Sequence, residues 1–348
     1  MAHSQEGGYT PIRRPPTSLR RRFLSIPTLI SFALAAAFLL FLTTRFQVDL
    51  GAIWQDIRQS HLGLYLLAFL VHYTTFLFRG ARWRILLKNA QGPQSTVPSV
   101  WGCAGLILLG WFANSITWFR LGDAYRAYTY SEESHTSFPR TAGTILAERV
   151  IDVVLVFLLL LVAAVTLYLL SPLRPSGLFL VIAAALLVVV GLILVAMFLF
   201  RSYLAPRLPR QVASAYERFH QGTVGSFQHT PLVLLLGLLG WMAEVGRLYL
   251  VLLALGFPLS FPLVVFVTLA NAILTLVLIT PGGLGIVEPG ITGLLLLELS
   301  KSEAISAALL DRSISYLSIV ILGALFFVAR EVARSRAARH RELPLGRS

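Results

Sequence analysis

Nine apolar stretches follow one another along this chain, at about 26–44, 62–78, 97–119, 153–171, 178–200, 231–257, 261–280, 286–299 and 307–329. A helix needs about 20 apolar residues to cross the hydrocarbon of a bilayer, and most of these stretches qualify. The segment 286–299 is too short to stand upright. Of the 348 residues 56% are hydrophobic and 13% charged, a balance that excludes a soluble domain. The prediction is an all-α polytopic membrane protein with about seven to eight transmembrane helices.

Lipid satisfies no free peptide group, so the chain must be helical wherever lipid touches it. Residues 280 to 290, Thr-Pro-Gly-Gly-Leu-Gly-Ile-Val-Glu-Pro-Gly, cannot continue a helix, yet they lie between two apolar stretches. Such a break is tolerated only against protein or a water-filled cavity. The carboxylate of Glu288 sits inside it. Broken helices with a buried charge mark substrate or ion sites in transporters.

The net charge of +13 gathers at the ends: Arg13, Arg14, Arg20, Arg21 and Arg22 precede the first stretch, and six arginines run from Arg330 to Arg347. Beside a span, such clusters read as positive-inside signals and anionic-lipid contacts, not as a nucleic-acid surface. Both termini are therefore expected in the cytoplasm, with 1–25 and 331–348 as basic tails, the first disordered, around one membrane domain at 26–330. Arg79, Arg82, Arg84 and Lys88 are assigned to an inside loop after the second span, and 201–230 is also basic. Three spans between these two inside segments require one that enters and leaves on the same side. The best candidate is 97–119, running into Arg120-Leu121-Gly122-Asp123-Ala124-Tyr125-Arg126. By the same counting, 261–280 and 286–299 form a hairpin dipping from outside, so two re-entrant hairpins enter from opposite faces.

Sliding the chain against itself, without gaps and at one fixed offset, supports this organisation. Leu121-Gly122 falls on Leu284-Gly285, Arg149 on Arg312, Glu148 on Asp311 and Arg84 on Arg247. Two units of helix, broken hairpin and helix result, at 62–171 and 231–330, in inverted orientation. Transporters place their site near the midplane between such repeats.

An arginine at mid-bilayer costs about 2.5–3.5 kcal/mol on insertion scales, so charges there should come paired. Glu244 and Arg247 are three apart; Glu148, Arg149 and Asp152 form one helical set; Asp311 precedes Arg312; Arg120, Asp123 and Arg126 share a face if helical. These can be ion pairs locking helices together, or the lining of a polar cavity. The planar guanidinium suits a phosphate headgroup. The histidines lack metal-ligand spacing, Cys103 is the single cysteine, and no nucleotide-binding loop is present, so no metal or cofactor is expected. The six tryptophans lie mostly near span ends, where an interfacial belt is the default reading.

Pro281-Gly282-Gly283-Leu284-Gly285-Ile286-Val287-Glu288, Arg120 to Arg126, Glu148-Arg149-Val150-Ile151-Asp152 and Arg79-Gly80-Ala81-Arg82-Trp83 resemble the lysylphosphatidylglycerol synthase transmembrane family of flippase-like membrane proteins. The resemblance covers about 25–330. It implies movement of a lipid with an aminoacylated or glycosylated headgroup between leaflets of the cell membrane. Trp118 replaces the proline usual in the family. The family's cytosolic lysine-attaching domain is not recognised, so aminoacyl transfer is not expected.

The function expected is lipid translocation, with membrane lipids, chiefly anionic, as ligands and a separate lipid-modifying enzyme as a partner. Two alternatives stand beside it: a membrane transferase acting on lipid-linked substrates, and a non-catalytic partner of a cell-envelope synthesis complex. The candidate headgroup site comprises Arg120, Asp123, Arg126, Glu148, Arg149, Asp152, Glu244, Arg247, Pro281, Gly282, Gly283, Gly285, Glu288, Asp311 and Arg312, with Glu288 the candidate for proton coupling. Oligomeric state is left open.

Overall fold

The computed structural model describes residues 50–92, 96–117, 121–171, 177–203, 209–228, 230–277 and 280–342. The apolar stretch 26–44, the tail 1–25, Trp118 and Arg120 lie outside these residues.

The chain is an all-α polytopic membrane protein. A short helix α1 (Leu50–Gln59) leads into α2 (Leu62–Gln91), α3 (Val100–Ile116), α4 (Gly122–Ser134) and α5 (Phe138–Leu170). Helix α6 (Leu178–Tyr203) connects these to α7 (Arg210–Gly225), α8 (Thr230–Ala254) and α9 (Phe261–Val277). A 3-10 turn (Pro281–Gly283) precedes α10 (Val287–Leu295), α11 (Lys301–Arg312), a π turn (Ser313–Ser318) and α12 (Ile319–Glu342). Among the described residues five helical segments are long and apolar enough to cross a membrane: Leu62–Gln91, Phe138–Leu170, Leu178–Phe200, Pro231–Ala254 and Lys301–Arg334. Helices α3 and α9 are shorter, 17 residues each.

Local chemistry explains the boundaries. Ser99 accepts the Gly102 N–H to start α3, and Ser300 with Glu303 forms a capping box at α11. Gly92, at φ 84°, ends α2 in a conformation other residues avoid. The second apolar stretch ends at 78, but α2 continues to Gln91, because the polar residues beyond it find partners in the protein. The last span likewise continues as helix to Glu342, into the segment assigned to a basic tail.

The repeat register reappears in the helices. The offset that lays Leu121 on Leu284 also lays the start of α5, Phe138, on the start of α11, Lys301. It lays the end of α2, Gln91, on the end of α8, Ala254. The packing repeats with it: α3 lies on α12 as α9 lies on α5, and α1 on α11 as α7 on α5. Helices α2 and α8 pack along each other, antiparallel, with His72 beside Glu244, Thr75 donating to the Gly240 carbonyl at 3.1 Å, and Arg82 against Gly237. The repeating units are thus longer than the sequence boundaries, each gaining the short helix before its first long one. Apolar packing is continuous from α5 and α6 through α8, α9 and α10, around Leu248, Leu252, Phe266, Leu269 and Leu295. Helix α6 is the exception: its face is largely exposed, as a lipid-facing span requires.

Both breaks are held tightly. Gly122 packs so closely on the Gly110 carbonyl that a Cβ would overlap it, and its N–H bonds the Asn114 side chain at 2.7 Å. In the second break Gly282 takes φ 57°, and a Cβ there would overlap the Tyr316 ring.

Candidate functional site

Seven charged residues of α2, α4 and α5 form one network. Arg82, fully buried on α2, donates to Asp152 at 2.7 Å and to Glu148 at 3.0 Å. Arg126 on α4 donates to the other oxygen of Glu148 at 2.9 Å and lies 3.6 Å from Asp123. Arg149 donates to both oxygens of Asp123, at 2.7 and 3.0 Å, and to Asp152 at 3.4 Å. Arg79 approaches Asp152 at 3.5 Å. Four guanidinium groups thus face three carboxylates, so each buried charge has an opposite partner, although the Nε groups of Arg82 and Arg126 find no hydrogen-bond acceptor among the described residues.

In the second unit the charges divide into two sets. Arg247 on α8 donates to Asp311 through Nε at 2.7 Å and through Nη2 at 3.3 Å, and its Nη1 bonds Glu244. Nδ1 of the fully buried His72 lies 3.2 Å from Arg247 and 3.5 Å from Glu244. Arg312 turns the other way. Its Nε donates to Glu288 at 2.7 Å and its Nη2 to the Gly282 carbonyl at 2.8 Å, while Glu288 accepts the Gly285 N–H at 2.8 Å. This pair therefore clasps the Pro-Gly-Gly turn from both sides. Asp311 and Arg312, adjacent in sequence, do not neutralise each other; neighbours on a helix point about 100° apart, and each finds a partner elsewhere.

A cavity of about 240 Å³ opens between the two units. Its walls include Arg79, Arg149 and Asp152 from the first, Glu244, Arg247, Asp311 and Arg312 from the second, and Gly282 and Gly283 of the break. The end of α3 contributes Asn114 and Ser115. Tyr316, in the π turn, joins the two breaks: its ring covers Gly282 and the Arg312 guanidinium at 4.7 Å, and its hydroxyl donates to the Ser115 carbonyl at 3.4 Å. π turns inside helices are frequent at functional sites.

Of the candidate residues, Arg149, Asp152, Glu244, Arg247, Gly282, Gly283, Asp311 and Arg312 line this cavity. Asp123, Arg126, Glu148 and Glu288 stand behind it as partners of lining residues or of one another, and Gly285 holds Glu288. Pro281 is buried at the start of the 3-10 turn. Arg120 lies outside the described residues.

Charge counting puts Arg79, Arg82, Arg84 and Lys88 in a loop, but all four lie within α2, and two of them are buried. Arg79 and Arg82, assigned to a loop, are buried inside α2 at the heart of the site. The belt assignment fails for three tryptophans: Trp83 is buried, and Trp111 and Trp241 line the cavity with Arg79 between them, its guanidinium carbon 5.5 and 5.0 Å from their rings. Trp54 and Trp101 are exposed, as a belt requires. Arg84, matched by register to Arg247, joins no charge cluster among the described residues and donates to the Pro98 carbonyl at 2.9 Å. A signal for Arg79 was available: it is one helical turn from Thr75 and three positions from Arg82 in a segment otherwise able to continue the span.

A family model described as the lysylphosphatidylglycerol synthase TM region matches residues 28–323. A UPF0104 membrane protein of Methanocaldococcus jannaschii is 31% identical over 218 residues, 62% of this chain and 93% of its own length. One of Pyrococcus horikoshii is 25% identical over 290 residues, covering 74% and 84% respectively. One of Methanothermobacter thermautotrophicus is 26% identical over 303 residues, covering 78% and 87%.

Proposed function

The chain belongs to the lysylphosphatidylglycerol synthase transmembrane family, and from that premise we propose that this multi-pass membrane protein translocates a phospholipid or glycolipid with a modified headgroup between leaflets. One observation carries the reading: the end of α3 and the glycine turn of the second break, from two units of matching architecture, line one arginine-rich cavity. At about 240 Å³ it is below the roughly 300–1,000 Å³ of pockets for drug-sized ligands, so it suits a headgroup while acyl chains remain in lipid. Fixed guanidinium groups replace the water the headgroup would otherwise lose.

In this reading the two breaks are re-entrant and enter from opposite faces, both termini are cytoplasmic in the cell membrane, and the inverted units rock about the α2–α8 contact. Glu288 remains the coupling candidate, because protonating it would release Arg312 and the glycine turn together. The protein moves its lipid without transforming it, and a separate enzyme supplies the modified headgroup. Reconstitution into vesicles carrying labelled lipids tests the proposal. Arg149→Ala and Glu288→Gln are expected to slow translocation by about tenfold or more, the loss typical of a charge-assisted contact. Transport at the wild-type rate in both variants would overturn the site.

A further inference from the structure

One buried titratable side chain serves neither helix break. His72 is fully buried in α2, at the contact with α8 that joins the two units. Its Nδ1 lies 3.2 Å from Nη1 of Arg247. A guanidinium only donates, so Nδ1 accepts that bond and the imidazole is neutral, with its proton on Nε2. The Nε2 proton finds no acceptor among the described residues. Nδ1 has a second neighbour: Oε1 of Glu244, 3.5 Å away, is buried and without a hydrogen bond among the described residues. A buried carboxylate oxygen left without a donor is costly. A proton added to Nδ1 would supply the donor that this oxygen lacks.

The surroundings suit that second proton. From α8 the ring is faced by Glu244 and Arg247, and behind Arg247 stands Asp311 of α11. Two carboxylates against one guanidinium leave this set one cation short. The nearest other cation is Arg79 of α2, which approaches Asp152 of α5 at 3.5 Å and is stacked between Trp111 and Trp241. Tyr73, the other titratable neighbour on α2, holds its hydroxyl on Ser318 of the π turn at 2.8 Å. The Tyr73 and Phe76 rings lie 5.4 and 5.8 Å from the imidazole, within the reach at which aromatic rings stabilise a cation. Glu244 lines the cavity and gives a proton its way in.

We infer that His72 is a proton-binding site at the α2–α8 contact, with Oε1 of Glu244 receiving the hydrogen bond of the bound proton. One proton from water enters at Nδ1. The bond from Arg247 Nη1 to Nδ1 is lost, and a bond from Nδ1 to Oε1 takes its place. Arg247 keeps Asp311 and the other oxygen of Glu244, so one of its N–H groups is freed in a residue that lines the cavity. Proton binding between the units is thereby linked to the cavity, and a ligand that takes the freed N–H must tighten proton binding in return. This site is separate from Glu288, which belongs to the glycine turn. It rests on the buried set alone and does not require the translocation reading.

Nitrogen NMR of the purified full-length chain, labelled at histidine, reads tautomer and protonation directly, and His72→Gln identifies the His72 signals by difference. The ring should be neutral with its proton on Nε2 at the alkaline end of about pH 5–8, and doubly protonated at the acid end. Glu244→Gln keeps the shape of the partner but not its charge, and should need about tenfold or more higher proton concentration to half-protonate His72. A proton on Nδ1 in the alkaline form, a ring that stays neutral throughout, or an unchanged titration in Glu244→Gln overturns the inference. If His72→Gln does not fold, the histidine whose titration moves in Glu244→Gln gives the assignment, and the lack of one overturns the site. If Glu244→Gln does not fold, the wild-type tautomer and titration decide. Vesicle translocation separates the two claims. Titration of His72 in a chain that moves no lipid supports this site and ends the transport reading; translocation by a chain whose His72 stays neutral ends this inference alone.

Discussion

The two units share a helix plan but distribute their buried charges differently. In the first, Arg82 bridges Glu148 and Asp152, and the whole set from Arg79 to Asp123 becomes one interlocked network. In the second, Arg247 secures Asp311 and Glu244 on its own, and Arg312 is left to bind Glu288 and the backbone of the glycine turn. The break of the first unit is fastened by steric fit, Gly122 on Gly110 and its N–H on Asn114, and by the Arg149–Asp123 pair that belongs to the larger network. That of the second is fastened by the fit of Gly282 on Tyr316 and by a separate ion pair, Arg312–Glu288, whose arginine also bonds the turn's backbone. A contact made of close packing has one arrangement; a contact made of a charge pair can be opened by a proton or a competing phosphate. The first unit, whose charges interlock in one network, is therefore expected to be the rigid partner and the second, with two separate charge sets, the responsive one.

The sharpest way to break this comparison is Arg82→Ala. It leaves Glu148 and Asp152 short of their shared guanidinium in the protein interior, a loss of about 3–5 kcal/mol. Thermal unfolding in detergent should show a large drop in the midpoint, and a near-wild-type midpoint would show that the first unit is not the rigid one. Gly282→Ala comes next, with about 1–2 kcal/mol of left-handed strain added to the clash with Tyr316. Gly285→Ala has φ 80° but open space around the new methyl, so it should suffer the strain alone. If the two alanine variants melt alike, Tyr316 does not brace the turn. Glu288→Gln is expected to cost about 1–2 kcal/mol or less but to speed hydrogen exchange at the Gly283 and Gly285 amides, leaving α4 unaffected. Equal exchange in both breaks would remove the distinction between them. Arg84→Gln should be the mildest, within about 1 kcal/mol and with unchanged translocation, because its bond is to one carbonyl outside the charge clusters.

Much of this architecture is legible in the sequence, for definite reasons. Apolar runs announce helices because lipid tolerates little else, and Pro281 to Gly285 announces a break because those residues cannot sustain a helix. Glu148, Arg149, Glu244, Arg247 and Arg312 stand out because charge is rare in such surroundings. Pairing within a helix was legible, as Glu244–Arg247 and Arg149–Asp152 show, but pairing between helices was not. Arg312 and Glu288 are separated by 24 residues, Arg247 and Asp311 by 64, and helical spacing reports only neighbours on the same helix. Arg79 and Arg82 were hidden for a related reason: an arginine near the end of an apolar run has the same sequence signature whether it meets water or a buried carboxylate. Trp111 and Trp241 were masked by the habit of tryptophan for interfaces.

The arginines of α2 also impose an order on biosynthesis. Arg82 leaves the ribosome 66 residues ahead of Glu148 and 70 ahead of Asp152. Until α5 arrives, α2 must be held with its guanidinium groups unpaired, at about 2.5–3.5 kcal/mol each if placed mid-bilayer. Helix α2 has a mean hydropathy of 1.4 and α8 of 1.5, against 3.1 for the α5 span. These are the two least apolar of the five described spans, and each carries an arginine that binds a carboxylate made later in the chain. Membrane insertion of this chain is therefore expected to be a paired event, in which α5 and α11 complete the integration of α2 and α8.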